Sequence, residues 1–237
     1  MRDIRIDRRF HGPPDSGNGG YSAGLVAKAL GGSDCVVSLW KPPPLGRALT
    51  LETSGDEVVL RDGEVEIATA RKAEVMVGVP PPPAADAARM AERRFTGLCD
   101  HIFPACFVCG PDRATGDGLR IFPGRIDPGS PPVAALWTPA SNLADEEGRV
   151  RSEFLWAALD CPGYFAVQAQ AGLALLGRLA ARIEARPPVG RPIIVTGWPI
   201  GSEGRRHRAG TALHDEGGRL IAAAEAVWVT LKPTAAH

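Results

Sequence analysis

The segments Pro43-Pro44-Leu45-Gly46-Arg47 and Pro187-Pro188-Val189-Gly190-Arg191 are near copies of each other. Each lies between two strand-like runs and downstream of a helix-like one. A second correspondence follows in the same order: Leu60-Arg61-Asp62 with Gly63 and Val65 parallels Leu213-His214-Asp215 with Gly218 and Leu220, each as a hairpin turn near the end of its unit. Chance can produce one such match. Two in order, in the same setting, point to tandem duplication. This restricts the chain to two similar units, each a helix plus an antiparallel sheet, packed on one another as a pseudo-dimer within one polypeptide. The expected fold class is therefore α+β.

The unit boundaries follow from composition. Pro80 to Pro83 is a stiff four-proline run, and the segment AADAARMAERR after it has the pattern of a short amphipathic helix. The expected division is a first unit over 1–79, a linker and connector helix over 80–98, and a second unit over 99–237.

Within the first unit, residues 8–20 (RRFHGPPDSGNGG) are turn-forming and expose backbone amides. Tyr21, Gly24, Leu25, Lys28 and Ala29 then run at helical spacing until Gly31-Gly32 ends the helix. Strands are expected over Val36 to Trp40, Ala48 to Thr53 and Val58 to Met76, the last folded at Arg61-Asp62-Gly63. In the second unit they are expected over Val133 to Trp137, Leu173 to Glu184, Ile193 to Trp198, Arg206 to Leu213 and Leu220 to Leu231.

The helix of the second unit reads EFLWAALDCPGYF from Glu153 to Phe165. Phe154, Ala157, Ala158 and Cys161 follow helical spacing, and Leu155, Trp156 and Leu159 extend the apolar surface almost all round, so the helix is expected to be wrapped by other structure. Asp160 is the exception. A carboxylate in such surroundings is either satisfied by hydrogen bonds or retained for chemistry.

Global charge excludes some functions. Lys plus Arg total 27, equal to Asp plus Glu, so no net field draws the chain to nucleic acid or to an anionic membrane. The charged opening MRDIRIDRRF is unlike a signal peptide, and the apolar region from Phe154 to Leu176 is interrupted by Asp160, Pro162, Gly163, Gln168 and Gln170, which argues against a membrane span. Five cysteines fit reduced thiols better than a disulfide framework. A cytoplasmic protein is expected.

CFVCG, then GDGLRIFPG, then a helix with an acid some nine residues in, resembles the hotdog-fold thioesterases, especially the phenylacetyl-CoA thioesterase-like members. The resemblance implies two tandem hotdog units, each an antiparallel sheet wrapped on a long helix. In that family the helix opens with a His-Gly-Gly or Asn-Gly-Gly turn and carries Asp seven residues after the second Gly. Here the pattern is divided between the units. Asn18-Gly19-Gly20 supplies the turn in the first, but the position seven after Gly20 is Ala27. In the second, Asp160 stands seven after Glu153, but the turn reads Arg151-Ser152-Glu153.

The family places its site between two units, so the resemblance implies one complete site per chain: Gly19 and Gly20 from the first unit and Asp160 from the second. Amides at a helix start can hold a carbonyl oxygen as it gains charge. Asp160 is then a nucleophile or a base that activates water, two roles the sequence does not separate. Asn18 either orients substrate or caps the helix. Trp156 and Tyr164 are candidate acyl-pocket residues. Arg206 and Arg208, in the run Arg205-Arg206-His207-Arg208, are candidates for coenzyme A phosphates, although a solvated hairpin face is the simpler account.

The expected function is hydrolysis of an acyl-CoA by a thioesterase-like enzyme that needs no cofactor beyond the coenzyme A of its substrate. The alternatives are a non-catalytic acyl-CoA or acyl-group binding protein and a hotdog-fold hydratase or dehydratase. Homo-oligomers of the pseudo-dimer are compatible with the sequence.

Two other motifs compete. GYSAG from Gly20 to Gly24 matches the G-x-S-x-G nucleophile elbow with Ser22 as nucleophile, but an elbow follows a strand and here a Pro/Gly-rich turn precedes it. Cys99, His101, Cys106 and Cys109 cluster tightly, and C-x2-C-G is a zinc-knuckle form, yet the second knuckle is missing. The sequence therefore favours packed thiols, and no metal is expected.

Overall fold

Alternation of apolar and polar residues fixes which face of each strand is buried. Along Ala48–Ser54, Leu49 and Leu51 are buried while Glu52 lies between solvent and core, and Val58 and Leu60 repeat the pattern on the next strand. The computed structural model describes residues 1–31 and 34–232. In chain order its elements are β1 (Arg2–Arg5), α1 (Gly19–Lys28), β2 (Cys35–Leu39), β3 (Ala48–Ser54), β4 (Glu57–Asp62), β5 (Val65–Lys72), α2 (Ala85–Glu92), β6 (Gly124–Arg125), β7 (Val133–Trp137), α3 (Ser152–Ala158), α4 (Cys161–Ala171), β8 (Ala174–Ile183), β9 (Ile193–Glu203), β10 (Arg206–Asp215) and β11 (Leu220–Thr230).

The eleven strands of the described residues form one antiparallel sheet in the order β1-β3-β4-β5-β2-β8-β11-β10-β9-β7-β6. Read outward from its middle, β2-β5-β4-β3-β1 on one side matches β8-β11-β10-β9-β7 on the other, with β6 added at the edge. In chain order α1 lies between β1 and β2, and α3 and α4 lie between the corresponding β7 and β8. The prolines of the two near-identical segments fall between β2 and β3 and between β8 and β9, as duplication requires. The series join where β2 pairs β8, Val37 opposite Leu179. On one face of the sheet α1 packs over the β2 half and α4 over the β8 half, with α1 against α3, so the apolar surfaces of both units merge into one core.

Three expectations change. The 153–165 stretch is not one helix: it breaks at Asp160, whose φ of −81° and ψ of −80° lie outside helical geometry, leaving α3 before it and α4 after it. Pro162 has no N–H, and its ring excludes the carbonyl of Ala158, so the interruption is built into the sequence. The strand expected to reach Met76 ends at Lys72. The charged segment Arg2–Arg5 is a strand, pairing with β3 at the sheet edge, where charged side chains are well placed to discourage further pairing. Gly31 has a φ of +91° just past α1, as expected of a helix stop; Gly32, named with it, lies outside the described residues. Among the described residues, no helix is long and apolar enough to cross a membrane.

Candidate active site

The site begins with how closely α1 approaches α3. A Cβ at Gly20 would lie 2.5 Å from Asp160 Cβ and 2.7 Å from the Trp156 carbonyl oxygen, and one at Gly24 would lie 2.7 Å from Glu153 Cα. Gly20 and Gly24 are one helical turn apart and share a face, so the two glycines of GYSAG permit the crossing of the helices. Ser22, between them, is fully buried inside α1 rather than at a strand-to-helix turn. Trp156 is also fully buried, at this crossing, and is absent from the cavity wall.

The close approach brings the N-terminus of α1 onto Asp160. The Gly20 N–H donates to Asp160 Oδ2 at 2.8 Å, and Asn18 Nδ2 donates to the same oxygen at 2.9 Å. Asn18 does two jobs, since its Oδ1 also accepts from the Tyr21 N–H at 2.9 Å as the helix N-cap. Asp160 Oδ1 is buried with no hydrogen-bond partner among the described residues. One oxygen is thus anchored and the other is uncommitted. Burial pushes the Asp160 carboxyl up to about 7, against the lowering effect of the Gly20 bond, with the nearby Cys106 adding to the rise and Asn18 opposing it.

Asp160, Asn18 and Gly19 line a cavity of about 540 Å³, within the range usual for small-molecule sites. Its apolar walls include Leu39, Phe103, Phe165, Leu176, Trp228 and Val229. Gly19 occupies the first helical position, whose amide a helix leaves without an internal acceptor. Tyr164 also lines the cavity, its hydroxyl donating to the Gly172 carbonyl at 3.0 Å.

Arg206 and Arg208 do not line it. Both lie on β10, and Arg208 is held by Glu225 through bonds of 2.8 and 3.0 Å. Among the described residues, Lys41 is the cation on the cavity wall, and it is exposed. It sits in the turn after β2, and no sequence signal singled it out.

The opposite, pseudo-symmetric position is filled differently. Glu153 stands where Gly20 stands in the first unit, and Lys28 follows Ala27, the counterpart of Asp160. Glu153 is buried and pairs with Lys28 at 3.2 Å. An ion pair thus occupies the pseudo-symmetric counterpart of the Gly20–Asp160 contact.

The CFVCG segment forms the wall beside Asp160. Phe107 donates its N–H to the His11 carbonyl and accepts from the Leu119 N–H, each at 2.8 Å. Its ring meets Phe10 edge-on at 4.9 Å, and Phe10 stacks on Tyr21 of α1 at 4.1 Å. These contacts fix Cys106 and Cys109 against the start of α1. Cys99, grouped with them in sequence, is exposed and apart, whereas Cys161 joins them from the first residue of α4. Sequence reading missed Cys161 because its nearest partners lie more than fifty residues away. The Cys109 and Cys161 thiols and neighbouring backbone amides hold the Cys106 thiol below its ordinary range. His101 lines the cavity and its pKa is lowered, chiefly by burial.

Asn18 offers a way to separate its two roles. Asn18→Ser keeps a good N-cap but cannot reach Asp160, whereas Asn18→Ala loses both functions. Asn18→Ser is expected to lose about 1–2 kcal/mol with the bond to Asp160, and Asn18→Ala about 1 kcal/mol more because the cap is lost as well. In both, Asp160 loses a donor to its charged form, and its pKa, followed by carboxyl NMR or a pH–rate profile, moves upward. A Ser variant with an unchanged Asp160 pKa would contradict the bond.

No family model matches the sequence, and no curated protein matches it. The fold has solved counterparts. A protein of Thermobifida fusca provisionally designated thioesterase II is similar over 97% of this chain and 93% of that one, with TM-score 0.64 and 16% identity. The tesB protein of Mycobacterium avium subsp. paratuberculosis covers 97% and 92% with TM-score 0.61 and 12% identity. A conserved hot dog fold protein of unknown function from Alicyclobacillus acidocaldarius covers 98% and 93% with TM-score 0.60 and 11% identity. Together with the matched strand series, these likenesses define the chain as a tandem hotdog fold, the α+β architecture expected from the sequence.

Proposed function

We propose that the protein is a thioester hydrolase acting on an acyl-CoA, with one site per chain built by both units. The observation that carries this reading is the divided carboxylate of Asp160: Oδ2 is anchored by Gly20 and Asn18, while Oδ1 has no partner among the described residues and stands beside a largely apolar cavity. A carboxylate with a pKa near 7 is half-ionised at neutral pH and a competent base there. In the proposed reaction Asp160 takes a proton from water as its oxygen attacks the thioester carbonyl. The resulting oxyanion is received by the N-terminus of α1, where Gly19 offers an amide. Collapse expels the thiolate of coenzyme A, which recovers the proton. The acyl chain lies along Leu176, Phe165 and Tyr164, and Lys41 supplies positive charge for the phosphates of coenzyme A. The thioesterase designations of structural neighbours agree with this reading, although at their low identity they speak to fold.

The test is a panel of short, long and aromatic acyl-CoA substrates, with release of free thiol followed over time. Turnover of at least one member, abolished in Asp160→Asn, is the expected result. Saturable binding of acyl-CoA without thiol release identifies a binding protein instead, and turnover unaffected by the substitution removes Asp160 from the mechanism.

A further inference from the structure

Cys106, Cys109 and Cys161 bring three sulfur atoms within 4.8 Å of one another, all buried and all on the cavity wall. Cys106 Sγ and Cys161 Sγ are 3.9 Å apart. Tetrahedral thiolate ligation with Zn–S bonds of about 2.3 Å separates sulfurs by roughly 3.8 Å, so shifts of less than about 1 Å would place all three around one ion. The backbone already has the necessary turn. The Gly110 N–H donates to the Cys106 carbonyl at 2.9 Å, and a Cβ on Gly110 would lie 2.5 Å from the carbonyl oxygens of both Cys106 and Pro104. Glycine is therefore required to close the C-x2-C-G loop this tightly.

His101 supports the cluster without joining it. Its Nδ1 accepts from the Phe103 N–H at 3.0 Å, so in the neutral ring the proton lies on Nε2, which donates to Cys109 Sγ at 3.2 Å. A hydrogen bond of this kind orients a metal-bound sulfur and offsets its charge. All three cysteines line the cavity, which leaves a fourth coordination position to it, and the cluster is near Asp160, since Asn18 Nδ2, bonded to Asp160 Oδ2, also lies 3.9 Å from Cys106 Sγ.

We propose that Cys106, Cys109 and Cys161 form a site for one Zn²⁺ ion, with the fourth coordination position open to the cavity beside Asp160. Three thiolates suit a thiophilic ion of this class, and an open position distinguishes the site from a closed structural one. The sequence favoured packed thiols because a single C-x2-C pair supplies two ligands; the third comes from the first residue of α4, next to Asp160.

The test is metal content, independent of turnover, so its failure and the failure of the thioesterase reading are distinguishable. Tag-free full-length protein, reduced and reconstituted with Zn²⁺ in the presence of a competing chelator, is expected to retain about one zinc per chain. Cys161→Ser and Cys109→Ala each lose at least tenfold in zinc affinity, while Cys99→Ser, altering an exposed thiol outside the cluster, binds as the parent does. Circular dichroism verifies folding of each variant. Co²⁺ substitution gives a sulfur-to-cobalt charge-transfer band and intense tetrahedral d–d bands in the parent, both lost in Cys161→Ser. A folded, reduced parent that retains no zinc against the chelator, or a Cys161→Ser variant that binds zinc and cobalt like the parent, overturns the proposal.

Discussion

Asp160→Asn is expected to reduce kcat for thioester hydrolysis by about 10²- to 10⁴-fold, the usual contribution of a positioned general base. KM should change little, because the substitution preserves size and the carboxamide oxygen can still accept from Gly20 and Asn18, as Oδ2 does in the parent. The parent's kcat/KM should rise with pH and level off above about 7, where Asp160 is ionised.

Stability moves in the opposite direction. The folded-state pKa of about 7 lies above that of the unfolded chain, near 3.8. The favourable contribution of the protonated group is fully present below the unfolded value, and it is lost as pH rises through the folded one. Over this window the loss is on the order of 4 kcal/mol. The carboxamide introduced by Asp160→Asn does not titrate, so the Tm difference between variant and parent should widen in the variant's favour from pH 4 to pH 8. A difference independent of pH would remove the raised pKa from the account; a variant with parental kcat would remove the base.

Gly20→Ala is expected to have the second largest effect, on stability and rate together. The added methyl would lie 2.5 Å from Asp160 Cβ, 2.7 Å from the Trp156 carbonyl oxygen and 3.1 Å from Ala157 Cα. Two of these three atoms are backbone and cannot rotate away, so α1 and α3 must separate. Overpacking of this kind typically costs about 1–3 kcal/mol, and Tm should fall by roughly 2–12 °C. Separation also draws the amides of α1 away from the reacting centre, and loss of one oxyanion donor lowers kcat by about 10²- to 10³-fold. Gly24→Ala provides the comparison: its methyl would meet Glu153 Cα at 2.7 Å, well away from Asp160. It should destabilise to a similar degree and reduce the rate less. Equal rate losses in the two variants would mean that the effect is general loosening of the helix pair and not displacement of the Gly19 amide from the oxyanion and of the Gly20 amide from Asp160.

Much of the fold was legible because its signals are local. Alternation along Ala48–Ser54, the turn at Gly63 and the two proline-glycine segments each depend on residues close in sequence. The strand Arg2–Arg5 was not legible, because its charged residues are suited to a sheet edge and carry no apolar pattern. The single helix expected over 153–165 failed at Asp160, where apolar periodicity continues through a backbone break imposed by Pro162. Trp156 illustrates another limit. Helical spacing identifies an apolar residue as buried but not whether it faces a helix or a cavity, and here it faces α1.

The sequence by itself determined the duplication, the α+β class, the position of Asp160 and the glycines at the start of α1, because each is written in neighbouring residues or in a repeat. Only the tertiary structure decided that Gly20 and Asn18 bind the same oxygen of Asp160, that Glu153 and Lys28 fill the opposite position, and that Cys161, not Cys99, completes the sulfur cluster. The physical reason is distance along the chain. Asn18 and Asp160 are 142 positions apart, Lys28 and Glu153 are 125 apart, and Cys106 and Cys161 are 55 apart. No local pattern spans such separations, and the geometry of these contacts is set by how closely α1, through its two glycines, can approach α3 inside one continuous sheet.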